Sequence, residues 1–228
     1  MHRTVPIPSL AEAGLNLQAV FSIEHLPQTL QQALTPLIPN TPSYPYLLLL
    51  AHAGTQLWTA LQTAHIDLTD HTTNPIDTYT QETIATYFRQ QHPQHQYHLL
   101  YPQYQATPLM PLGQLAGWSH PTPLGLGIHP HYGLWYAYRA ALVTTAPLPL
   151  TSPNTAPSPC LTCHHKPCLT ACPPKPPTPP TSIGKPAPPT ASNPTLPAPP
   201  AAWPVSPAPT PLNTATHPPK SNTIINTH

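Results

Sequence analysis

Hydrophobic and polar positions alternate along this chain with two periods, and the first two thirds carries both. Residues 9–23 (SLAEAGLNLQAVFSI) place Leu10, Leu15, Val20 and Phe21 at helical spacing, which predicts a helix weakened by Gly14. Tyr46–Ala53 (YLLLLAHA) is apolar at almost every position and reads as a strand buried on both faces. Gly54 then opens a predicted helix carrying Leu57, Trp58 and Leu61. The clearest helix is Pro75–Gln91: Asn74 suits the N-cap, Pro75 the first turn and Asp77 the positive end of the dipole. Ile76, Tyr79, Thr83, Ile84, Tyr87 and Phe88 form its apolar stripe. A short strand is expected over 96–101, a weak helix over 110–118, and a strand over 134–144. Strict alternation in that last strand puts Trp135, Ala137, Arg139, Ala141 and Val143 on one face. Leu134, Tyr136, Tyr138, Ala140 and Leu142 take the other. Strands interleaved with helices imply an α/β or α+β sheet domain over residues 1–150.

Beyond residue 147 the pattern changes character. Residues 147–159 are mostly Pro, Thr and Ser and read as a linker, a cysteine module occupies 151–176, and 177–228 is a Pro-rich tail. The stretch from 173 onward holds about half of the 40 prolines, and Trp203 is its one aromatic residue. Such a composition buries too little apolar surface to offset chain ordering, which costs about 1–2 kcal/mol per residue, so the tail is expected to be disordered.

Charge narrows the functional classes. Only 6% of residues are charged and the formal net charge is +1. Nucleic acid and acidic membrane surfaces need clustered Lys and Arg, so neither is an expected partner. The longest apolar run is six residues, 46–51, and the N-terminus MHRTVPIPSL lacks a secretory pattern. Four cysteines with no sign of export read as metal ligands in a cytoplasmic protein rather than as a disulfide framework.

All four cysteines lie within thirteen positions, as Cys160-x2-Cys163-x4-Cys168-x3-Cys172-Pro173. The spacing approaches the C-x2-C-x2-C-x3-C-P run of bacterial ferredoxins, with the middle gap lengthened by His164, His165, Lys166 and Pro167. A 4Fe–4S cluster is the expected cofactor. Zinc is the alternative, with His164 or His165 able to substitute as a ligand.

The preceding strand carries a second signal. His129, Pro130, Tyr132, Gly133, Trp135, Tyr136 and Arg139 resemble the HP-x-[YF]-G-x-W-[FY]-x-x-R signature of the vertebrate cobalamin-processing (cyanocobalamin decyanase) proteins. A sheet domain ending just before a C-x2-C…C-P module also resembles epoxyqueuosine reductase and its corrinoid-dependent relatives. Together they resemble bacterial ferredoxin-like proteins of that wider group, over about residues 45–173. The resemblance implies a flavin-reductase- or nitroreductase-like α+β fold and a truncated ferredoxin-like module. It implies one-electron transfer with a redox partner protein, or a cobalamin- or flavin-dependent reductase fed by the cluster. It also implies that Arg139 contacts the carboxylate of a thiol co-substrate, with Trp135 and His129 as further cofactor-binding candidates. Against these stand plainer roles: Arg139 closing the sheet edge, His129 as a turn residue before Pro130, and Tyr136 and Tyr138 as core. No Gly-rich phosphate loop, nucleophile elbow or paired-carboxylate site is present.

The tail admits two readings. One is a genuine low-complexity segment in polyproline II, a ligand for a partner domain. The other is out-of-frame translation of a cysteine-containing second half. Shifted by two bases, Trp203-Pro204 must read Ala, and AAWPV is compatible with Cys-Leu-Ala-Arg. Pro207-Ala208-Pro209 is compatible with Cys-Pro, while Asn222-Thr223 and Asn226-Thr227 admit only Tyr or His. Related proteins continue with Gly-Cys-Leu-Ala-Arg-x-x-Cys-Pro, in the same order. A displaced frame beginning near Cys172 or Pro173 would remove the second set of ligands and leave any cluster labile.

Overall fold

A computed structural model describes residues 7–41, 43–69 and 74–170. Cys172, expected as a metal ligand, and the tail 177–228, expected to be disordered, lie outside the described residues. In chain order the elements are α1 (Pro8–Glu12), β1 (Leu17–Ser22), α2 (Gln28–Leu34), β2 (Tyr46–Ala53), α3 (Gln56–Thr63), α4 (Pro75–Gln91) and β3 (Tyr97–Tyr101). There follow α5 (Leu109–Leu115), β4 (His120–Pro121), β5 (Gly127–Ile128), β6 (Tyr136–Thr144) and α6 (Pro167–Thr170).

Four strands form an antiparallel sheet in the order β1-β2-β6-β3, and β4 and β5 make a small separate hairpin. The fold is therefore mixed α and β with an antiparallel sheet, of α+β type. The apolar run of β2 explains its central place, since Leu47 to Ala51 have no exposed surface at all. One face packs Phe21, Leu47, Leu49, Ala141 and Val143 against Leu30 and Leu34 of α2 and Leu112 of α5. The other packs Val20, Leu48, Leu50, Ala140 and Leu142 against Leu10 of α1 and Ile84, Tyr87 and Phe88 of α4.

The N-terminal helix expected over 9–23 is a correction. Helix α1 stops at Glu12, and Gly14 takes φ +89°, with Leu57 Cα 2.4 Å from where a Cβ would stand. That left-handed turn, open to glycine, reverses the chain into strand β1, whose hydrophobics then bury at the sheet edge. Helix α4 has the expected bounds, but Asn74 makes no side-chain cap bond and the buried stripe runs through Thr80 rather than Thr83. Thr80 is tolerated inside because its hydroxyl donates to the Ile76 carbonyl at 2.8 Å. Trp58 on α3 is more than half exposed while Leu57 and Leu61 are buried.

Segment 147–159 has little regular structure, yet it is tied down. Leu148 enters the core. Thr151 exchanges bonds with Val20 of the edge strand at 2.9 and 3.0 Å, and the Asn154 N–H donates to the Ala116 carbonyl at 3.0 Å. The segment thus covers part of the open β1 edge, as exposed edges require. Among the described residues no helix is long and apolar enough to cross a membrane.

Candidate functional site

The pairing of β2 with β6 breaks once. Leu50 pairs with Ala140 and Ala51 with Tyr138, so Arg139 is the extra residue of a β-bulge. A bulge shifts the alternation by one, and the two-face expectation for this strand is corrected accordingly. Tyr138 packs on the side of Ala141 and Val143, whereas Ala140 and Leu142 face α4. Arg139 points to His52, one position beyond Ala51, with Asp77 in the first turn of α4 near enough to influence its charge.

The Arg139–His52 contact is specific. Nε–H of Arg139 donates to His52 Nδ1 at 2.8 Å. A guanidinium can only donate, so Nδ1 must carry a lone pair and the ring proton sits on Nε2. Burial first and the Arg139 charge second hold His52 down to about 4, so its ring is neutral at physiological pH. Burial raises Asp77, with Arg139 opposing, and burial lowers Arg139, with Asp77 and Tyr101 opposing. Among the described residues Arg139 makes no ion pair at contact distance.

Trp135 joins the same end of β2. Its carbonyl accepts from the Gly54 N–H at 3.0 Å, two residues past His52, and its side chain is 81% exposed. Asn16 fixes the strand end between them, bonding both N–H and C=O of Ala53 at 2.8 and 3.1 Å. Arg139 and Trp135 are therefore brought to one place by His52–Gly54, with Tyr132 and Leu134 also exposed nearby in the chain.

His129 lies in the turn leading into this strand. Its N–H and C=O bond those of Gly133 at 2.8 and 3.0 Å, and Gly133 has φ +61°. Nδ1 accepts from the backbone N–H groups of His131 and Tyr132 at 3.1 and 3.3 Å. With 3% exposure, burial first and then His131 and His120 bring the ring to about 4. A neutral imidazole folded into its own turn orients the backbone ahead of Trp135. Its ring faces Tyr132 and Tyr136, at 5.0 and 5.7 Å between centroids.

Behind that turn sits a group with no local sequence signal. Among the described residues, buried Ser119 Oγ, His120 Nε2 and Tyr138 Oη have no hydrogen-bond partner, and Tyr136 and Tyr138 meet edge-on at 5.7 Å. A Cβ on Gly127 would stand 2.0 Å from Ser119 Oγ and 2.5 Å from Tyr136 Oη. One on Gly113 would stand 1.8 Å from Tyr138 Oη. A side chain at either glycine would have to displace these hydroxyls. Burial first, then Tyr136, pushes the Tyr138 phenol well above its usual range.

The cysteine segment is built differently. Ser158 Oγ accepts from the Cys160 N–H at 3.3 Å, starting a 3-10 turn over Pro159–Leu161, and Thr162 Oγ1 donates to the Pro159 carbonyl at 3.3 Å. Lys166 turns the chain at φ +41°, and α6 begins at Pro167. Cys160, Cys163 and Cys168 are free thiols of intermediate exposure. As donors they suit iron–sulfur or zinc chemistry. Among the described residues, however, no three His, Cys, Asp or Glu side chains converge as a metal site.

No family model matches the chain, and no curated protein matches it. Among solved structures, the C. elegans B12-trafficking protein CblC, a homologue of human MMACHC, is 16% identical. The match covers 60% of this chain and 68% of that one, at a TM-score of 0.41. Epoxyqueuosine reductase from Bacillus subtilis is 12% identical, over 72% of this chain and half of that one, at a TM-score of 0.44.

Proposed function

We propose that the chain is a ferredoxin-type iron–sulfur protein for one-electron transfer, its cysteine module following a flavin-reductase-like sheet domain. The observation that carries this is the spacing Cys160-x2-Cys163-x4-Cys168-x3-Cys172-Pro173, into which every cysteine of 228 residues is gathered. These four thiolates would hold the cluster, which would supply a one-electron couple. With the downstream ligands lost to a displaced frame, it would be exposed and labile. The test is anaerobic reconstitution of the full chain, with iron, acid-labile sulfide and zinc assayed before and after exposure to air. Substoichiometric iron that air removes is expected. About four irons and four sulfides per chain, stable in air, would overturn the lability. Zinc without sulfide would move the protein to a non-redox metal module. The nucleotide sequence from the Cys172 codon to the stop decides the frame: an open alternative frame with further Cys codons restores a two-cluster protein, and stops in it make the tail genuine.

A second reading is favoured by the tethering of Arg139 and Trp135 to one end of β2, at His52 and Gly54. Here the sheet domain is a reductase module that takes an organic cofactor, flavin or corrinoid, and the cluster supplies its electrons. Arg139 binds an anionic group of that cofactor or of a co-substrate, and the exposed Trp135 ring offers it a flat apolar surface. Flavin or corrinoid absorption in the purified chain, lost in Arg139→Leu, checks it.

A further inference from the structure

We infer that His52 is the positioning residue of an anion site at Arg139, which rests on the second reading above. Three observations converge. Arg139 is the unpaired residue of the bulge, so no regular ladder sets its direction. Its long side chain is then anchored at one atom, Nε, by a bond across 87 residues to His52 Nδ1. Anchoring through Nε leaves the four N–H groups of the two Nη nitrogens, the edge that grips a carboxylate, phosphate or sulfate in bidentate fashion. Asp77 and Tyr101 are the other groups that act on this charge, and among the described residues no carboxylate stands at ion-pair distance from it.

His52 suits the task because it is neutral. A carboxylate in its place would orient Arg139 equally well but cancel its charge, and a protonated imidazole would repel it. Asn16 holds the backbone beside His52 through Ala53, which fixes the strand end that carries the acceptor. Pre-orientation removes the entropy cost of immobilising a flexible side chain on binding.

The test titrates inorganic sulfate into the full chain by isothermal titration calorimetry, alongside His52→Leu, His52→Asn and Arg139→Leu, and follows the Arg139 Nε–H resonance in the chains that keep Arg139. Asparagine places Oδ1 near the position of Nδ1 and keeps the acceptor, whereas leucine keeps bulk alone. Arg139→Leu is expected to abolish binding, His52→Leu to weaken it about tenfold, and His52→Asn to stay within about threefold of the parent. Parent-like affinity in His52→Leu, or equal losses in both His52 variants, would overturn the role of His52 alone. If the parent binds no sulfate, or Arg139→Leu binds it as well as the parent does, the anion site itself is wrong and the inference falls with it.

Discussion

Strand β2 and the cysteine segment are two answers to the same problem of holding a chain in place. Leu47 to Ala51 are wholly enclosed between two helical layers, and each side chain there is removed from water. Residues 159–169 contain no buried side chain and are held by short local bonds from Ser158, Thr162 and Leu169. The first region owes its structure to the hydrophobic effect, at about 25 cal/mol per Å² of apolar surface. The second has no comparable source, so ligation would be what orders it. Damage should accordingly stay in whichever region it strikes.

The largest effect is expected in the sheet. Leu49→Ala should cost about 2–5 kcal/mol, lowering Tm by on the order of 10 °C in thermal denaturation followed by circular dichroism. A cost under about 1 kcal/mol would break the contrast. Acid should act on the same region. His52 and His129 titrate at about 4 rather than 6.5 when folded, so between those values the unfolded chain binds protons that the folded chain does not. Their contribution is complete above pH 6.5 and is lost as pH falls towards 4, on the order of 2 kcal/mol for the pair after allowance for solvent. His129→Asn, which keeps an acceptor for the two turn N–H groups without titrating, should flatten denaturant midpoints measured from pH 7 to 4. An unchanged slope would remove His129 from the account.

Smaller effects sharpen the comparison from the other side. Cys163→Ser should abolish metal uptake yet leave the Tm of the sheet within about 2 °C, as should a chelator; a larger fall would mean that the segment supports the domain. Trp135→Ala should change stability by less than about 0.5 kcal/mol, because its side chain is 81% exposed. Cofactor or anion binding lost without loss of stability would mark it as a contact residue.

Much of the fold was legible in particular residues. The run in β2 announced a strand buried on both faces, and Pro75–Gln91 showed its helix because long periodic segments leave few alternatives. The N-terminal segment misled because Leu10, Leu15, Val20 and Phe21 fit a helix as spaced, and Gly14 weakens a helix on paper but ends it in fact. The site was legible only in pieces. Arg139, Trp135 and His129 stand in a recognisable run, whereas His52, Asp77 and Asn16 are scattered over 60 positions without a motif, from 16 to 77. Ser119 and His120 gave no signal at all.

What the sequence determined by itself is the division of this protein: an apolar, aromatic-bearing sheet former, then a cysteine module, then proline. These follow from composition and local periodicity, which any stretch of chain carries within itself. The direction of Arg139 was settled by tertiary structure alone. One extra residue in β6 opposite β2 reverses which side chains face α4, and a bulge arises from the register of two strands more than 80 residues apart, which no local pattern encodes.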